Sequence, residues 1–220
     1  MIQRLALVLC TLCVFAAAPV GCSKAYYRTM EAFGKEKRDI LTSRVKDAQE
    51  GQEEAKEQFE SALDRFSKLV NAPESDLRKA YDRAKDDYDR SEARAEAVRD
   101  KIDEVEEVGT DLFNEWEREL REYSNEDLRS RSQRQMRDTR RRYDQMLASM
   151  KRVEKSMDPV LRTFRDTVLM LKHTLNAEAV ASLRGTVSDL EDEVRSLIRD
   201  MERSIEESDQ FLREMENSPE

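Results

Sequence analysis

The chain has 220 residues, 40% of them charged, with a formal net charge of −9, a pI near 5.0 and a mean hydropathy of −0.85. With only 5 Gly and 4 Pro to break helices, an all-α fold is predicted, and 38% hydrophobic content is too thin for a wide globular core at this length. The acidic balance argues against nonspecific nucleic-acid binding, because a phosphate backbone needs net positive surface where it docks.

Arg4 precedes an apolar run from Leu5 to Ala18, the length of a signal-peptide core and short of the ~20 residues a spanning helix needs. A small-residue cut after Ala18 would put Pro19 directly behind the cleavage point, a poor position for proline. Val20-Gly21-Cys22 offers the other chemistry, a bacterial lipobox whose Cys22 is lipidated, although Pro19 stands where Leu is usual. The reading is a lipoprotein-type signal segment over 1–21, with plain cleavage and an uncleaved anchor as alternatives. Cys10 and Cys13 fall in the leader, so the mature chain would hold no thiol apart from Cys22, as suits an oxidising envelope compartment. Ser23 after the lipidated residue, where Asp is absent, points to the outer membrane.

Residues 22–35 form a short anchor-proximal segment with Tyr26, Tyr27, Met30 and Phe33, closed by Gly34. Residues 36–216 read as one helical-bundle domain and 217–220 as a tail. The first long helix carries Leu41, Val45, Ala48, Gln52, Ala55, Phe59, Ala62, Phe66 and Leu69 in unbroken four-three spacing, the a/d repeat of a narrow helix seam. Asn71-Ala72-Pro73 stops it, with Asn71 or Ser75 expected to cap the second helix. The second seam runs Leu77, Tyr81, Ala84, Tyr88, Ser91, Ala95, Val98, Ile102, Val105, Gly109, Leu112 and Trp116, in a helix reaching about Tyr123. Gly109 and Ser91 on that seam suggest close helix approach. Ser124-x-x-Asp127 is the predicted cap of a third helix, with Leu128, Met136, Thr139, Tyr143, Met146, Met150, Val153, Met157, Val160, Phe164, Val168, Leu171 and Leu175 facing inward. Asp158-Pro159 is expected to kink it. A fourth helix is predicted from Asn176 through Leu183, Val187, Leu190, Val194, Leu197, Met201 and Phe211. Helices of about 40 to 50 residues predict a rod roughly 60 to 75 Å long. Matched lengths and short turns predict an elongated antiparallel coiled-coil bundle of about four long helices after the signal segment.

No constellation for catalysis emerges. A four-helix carboxylate metal site needs two Glu-x-x-His pairs, and His173 is the only histidine; it reads as a helix-end residue. No zinc spacing, no Ser/His/Asp arrangement and no G-x-x-x-x-G-K-[ST] phosphate loop is present, so no cofactor and no small-molecule substrate are predicted. Met136, Met146, Met150 and Met157 read as core filler. The arginine run Arg129, Arg131, Arg134, Arg137, Arg140, Arg141 and Arg142 is expected to lie beside the acidic end of the second helix, where charge complementarity sets partner and orientation. Topology offers a functional reading as well. With Cys22 held at a membrane, the second helix returns toward it. Arg137, Arg140, Arg141, Arg142, Trp116 and Tyr123 then become candidates for contact with anionic lipid or a partner.

The segments Ala25-Tyr26-Tyr27, Lys37-Arg38-Asp39-Ile40-Leu41, Ser91-Glu92-Ala93-Arg94-Ala95, Glu115-Trp116-Glu117, Asp138-Thr139-Arg140-Arg141-Arg142-Tyr143, Met157-Asp158-Pro159-Val160-Leu161 and Leu175-Asn176-Ala177 together resemble an uncharacterised bacterial domain-of-unknown-function family of predicted secreted coiled-coil proteins, some of them lipoproteins. The resemblance spans nearly the whole mature chain and implies no activity. Taken together, the sequence predicts a noncatalytic envelope lipoprotein, a helical scaffold, spacer or partner-binding rod. It would be held to a membrane by a lipid anchor, facing the periplasm, and would meet a protein partner or a second copy. A soluble periplasmic coiled-coil oligomer is the alternative, and an enzyme the least favoured reading.

Overall fold

The computed structural model describes residues 37–71, 76–174 and 176–217, and Lys37–Glu220 cluster as one compact unit. Cys22, the 1–21 leader, the 22–35 segment and the end of the tail lie outside the described residues. The described residues form five helices: α1 (Lys37–Leu69), α2 (Leu77–Glu119), α3 (Glu126–His173), α4 (Ala177–Ser182) and α5 (Arg184–Asn217). There is no strand among the described residues. The long helices are not matched in length: α1 and α5 have 33 and 34 residues, α2 and α3 have 43 and 48. At 1.5 Å rise α3 spans about 72 Å and α1 about 50 Å. The second and third helices therefore reach past the first and last.

Each long helix buries one stripe. In α1 all nine seam residues are buried, from Leu41 to Leu69. In α2 the seam holds with two shifts. Tyr88 is only half-buried, and Asp87 takes the inward position with 2% exposure. Asp87 turns toward α1, where the Arg65 guanidinium donates to its carboxylate at 2.5 Å, with Arg90 on the same oxygen. Near the end of α2, Val108, Phe113 and Leu120 are buried while Leu112 and Trp116 are half-covered. The α3 methionines are core: Met146, Met150 and Met157 are at most 1% exposed.

Neighbouring stripes pack α1 on α2, α2 on α3, α3 on α5 and α5 on α1. In every pair early residues of one helix meet late residues of the other. Lys37 meets Glu115 and Arg65 meets Asp87; Trp116 meets Ser132 and Arg99 meets Asp158; Arg142 meets Glu214 and Thr163 meets Glu193; Gln49 meets Ile205 and Lys56 meets Glu202. By this register Phe59 and Phe66 of α1 fall level with Ser91 and Ala84 of α2, large against small. Phe66 reaches across to Phe164 of α3, ring centroids 5.4 Å apart, edge to face.

The helix ends differ from the sequence reading by local chemistry. The α2 N-cap is Asp76, without a side-chain cap bond, and not Asn71; Ser75 lies outside the described residues. Ahead of α3 the cap is Asn125, not Ser124: its Oδ1 accepts from the N–H groups of Asp127 and Leu128 at 2.9 and 3.1 Å. The helix α3 runs on through Pro159 without interruption, because Met157 and Val160, both fully buried, hold the turn in place. The predicted fourth helix is two. Asn176 caps the six-residue α4, and Leu183 closes it before α5 starts at Arg184.

Candidate functional site

The end of α2 and the start of α3 gather every described candidate residue. The indole N–H of Trp116 donates to Ser132 Oγ at 2.9 Å and fixes the two helices side by side. One step inward lies an aromatic lock. Tyr143 packs edge-on to Phe113 at 5.3 Å and to Phe211 of α5 at 6.2 Å. Its hydroxyl donates to the Val105 carbonyl at 3.2 Å. A Cβ built on Gly109 would fall inside the Tyr143 ring, so only glycine lets the tyrosine seat here. Burial, with the carboxylates of Glu106 and Asp144 nearby, pushes the Tyr143 phenol well above its ordinary value.

Three of the four candidate arginines are engaged within the protein. Arg140 pairs with Glu117 at 3.2 Å and lies over the Phe113 ring at 5.4 Å. Arg141 pairs with Asp138 on its own helix at 3.0 Å, and Arg142 reaches Glu214 of α5 at 2.8 Å. Arg137 is exposed and forms no ion pair among the described residues, and Tyr123 is 41% exposed. The expected pairing of the arginine run with the acidic end of α2 holds for Arg140 alone. Asp103 and Glu106 pair instead with Lys151, at 2.7 and 3.1 Å, while Glu104 pairs with Arg44 and Glu115 with Lys37 of α1. Burial pulls the Lys151 ammonium down, but the hydrogen bonds to Asp103 and Glu106 outweigh it, and the net shift is upward.

Charge is unevenly spread over the helices. Helix α3 has thirteen Lys and Arg against seven Asp and Glu, while α2 has nine against fifteen and α5 five against eleven. Among the described helices α3 alone is basic. At its start Arg131, Arg134 and Arg137 are exposed and form no ion pair among the described residues. Sequence reasoning named the arginine run but did not separate its free members from its paired ones. Separation needs the inter-helix register, which places Glu214 beside Arg142.

Between α3 and α5 an open groove of about 420 Å³ is lined by Arg142, Arg152, Glu207 and Glu214 among others. The cleft between Arg38, Leu112, Trp116, Gln135, Thr139 and Met215 holds about 30 Å³, room for roughly one water. Beside the α1–α2 turn an open groove is lined by charges of both signs, Asp64, Arg65, Lys68, Lys79 and Arg83 among them. Among the described residues no three His, Cys, Asp or Glu side chains are grouped to hold a metal, and His173 sits exposed in the last turn of α3. No described helix is long and apolar enough to cross a membrane.

The match to a family model covers residues 26–215, described as a protein of unknown function (DUF2959). The chain belongs to that family. A search of curated proteins returned no match. The matched span takes in the first four described helices whole and the fifth as far as Met215.

Proposed function

We propose that this DUF2959 member is a noncatalytic cell-envelope lipoprotein. Residues 1–21 direct export, Cys22 carries the lipid, and the helices form an elongated antiparallel four-helix rod that spaces, scaffolds or binds a partner on the periplasmic side of the outer membrane. The observation that carries the reading is Cys22 itself. It stands directly behind an apolar leader in the order Val20-Gly21-Cys22, and no cysteine follows it in the remaining chain. The helical part supports a scaffold role through its surface, where charged ridges run along the described helices. The anionic-contact candidates, Arg137, Arg140, Arg141 and Arg142 on the first half of α3, Trp116 on α2 and Tyr123 in the turn between them, lie toward the end that receives the start of α1.

Growth with labelled palmitate tests the anchor. Label enters the wild-type chain, globomycin blocks its maturation, and Cys22→Ser takes up none; a wild-type chain that stays unlabelled ends the lipoprotein reading. The second reading, a soluble periplasmic oligomer, is favoured by Leu169 and Met170, which are 49% and 38% exposed on α3. Light scattering on the purified chain separates the two: the anchored-rod reading expects a monomer once lipid and detergent are removed.

A further inference from the structure

The α2–α3 turn orders its exposed side chains by distance from the tip. Tyr123 and Leu128, 41% and 50% exposed, stand at the tip among the exposed Arg121, Glu122, Glu126 and Asp127. Leu128 continues the inward stripe of α3, which is covered everywhere from Met136 onward. It is bare because the register of Arg142 on Glu214 brings α5 to its last described residue, Asn217, near Thr139. Among the described residues α2 flanks the first three turns of α3, and Arg38 of α1 approaches only at Gln135. Arg131, Arg134 and Arg137 come next, exposed and without counterions among the described residues, whereas Arg129, Arg140, Arg141 and Arg142 around them are each held by a carboxylate. The i, i+3 steps put each guanidinium about 4.5 Å farther from the tip than the one before, so Leu128 to Arg134 is about 9 Å along the axis.

Tyr123 and Leu128 at the tip, with Arg131, Arg134 and Arg137 roughly 4.5, 9 and 13.5 Å behind Leu128 along the axis, suit a lipid interface that takes apolar side chains at the acyl boundary and cations at the phosphates. We propose that the α2–α3 turn is a peripheral docking surface for an anionic lipid bilayer, with Tyr123 and Leu128 at the interface and Arg131, Arg134 and Arg137 on headgroup phosphates. The proposal rests on the envelope reading and moves the lipid contact from Arg140, Arg141 and Arg142 to their unpaired neighbours. Glu117 and Glu126 at this end are neutralised by Arg140 and Arg129. Glu122 and Asp127 carry no ion pair and, needing hydration, hold the contact at headgroup depth. The helix N-terminus itself takes no part, since Asn125 already accepts from its N–H groups.

The test uses a chain starting at Ser23, which contains the whole compact unit Lys37–Glu220 and lacks Cys22, so its outcome is independent of palmitate labelling. Cosedimentation is measured with mixed phosphatidylglycerol and phosphatidylcholine vesicles and with phosphatidylcholine alone, after circular dichroism shows equal helicity for all variants. The expected result is binding to the anionic vesicles only, weakened roughly hundredfold when Arg131, Arg134 and Arg137 are all changed to serine. It is weakened far less when the equally exposed, unpaired Arg152, Lys155 and Arg162 are changed. Equal losses in the two triple variants, equal binding to neutral vesicles, or retention by soluble polyglutamate with no vesicle binding would each overturn it.

Discussion

Between α2 and α3, Tyr143 fills the notch left by Gly109 and its hydroxyl donates to the Val105 carbonyl. Between α1 and α5, Gln52 is as deeply buried, yet neither end of its amide has a partner among the protein's groups; nor has the hydroxyl of Ser204, which the register of Gln49 on Ile205 and Lys56 on Glu202 places level with it. The first contact is specified by shape with its polar atom satisfied. The second carries polar groups into an apolar layer at a cost of about 1–3 kcal/mol for each unsatisfied group. Two helix pairs with the same heptad pattern thus reach their registers differently, one by a single allowed fit and one by a layer that is unfavourable wherever it is buried.

The largest effect is expected at the notch. Gly109→Ala should lower unfolding free energy by about 2 kcal/mol, because the overlap with the Tyr143 ring outweighs the ~1 kcal/mol that alanine gains in helix propensity. Urea denaturation followed by circular dichroism reads it. At the polar layer the sign reverses. Gln52→Leu should raise stability by about 1 kcal/mol, since an apolar side chain of similar size removes the orphaned amide. If the variant also loses a single oligomeric state in light scattering, the layer serves to fix register; a loss of stability would show that Gln52 is satisfied after all.

Alkaline titration sharpens the same contrast. The Tyr143 phenol is raised above its unfolded value near 10, so its contribution is complete below about pH 10 and is lost as pH rises from there through the folded value. Tyr88, pushed up to about 12 chiefly by burial and by its hydrogen bond to Glu92, adds a smaller loss in the window from about 10 to about 12. Lys151, also raised, acts in the same direction. Tyr143→Phe should flatten the decline of melting temperature above pH 10 more than Tyr88→Phe; the reverse ranking would place the buried phenol elsewhere. The smallest effect is expected at the surface. Arg141→Ser breaks an exposed pair within one helix and should change stability by less than about 0.5 kcal/mol.

The heptad spacing made the helices and most of the core legible, because burial on a narrow stripe is what a four-three repeat encodes. It did not separate Asp87 from Tyr88, since a seam faces two neighbours and the choice depends on Arg65 reaching over from α1. Leu183 misled, whereas α3 continues past Pro159 as a single helix, in keeping with its unbroken apolar phase. A proline inside a well-packed turn was tolerated, while a leucine in good helical phase closed a helix. At the candidate end, Gly109 was visible as an oddity on its seam, but the residue that needs it sits 34 positions later on another helix. The free and paired arginines are identical in sequence terms and differ only in what the register brings beside them.

A double-mutant cycle on Gly109→Ala and Tyr143→Ala tests the shape-specified contact most directly. With the ring removed, Gly109→Ala should no longer destabilise and should gain up to about 1 kcal/mol from helix propensity, giving a coupling of about 2–3 kcal/mol between the two sites. The same destabilisation by Gly109→Ala in both backgrounds would mean that Tyr143 does not occupy the notch and that α2 and α3 are held in register by something else.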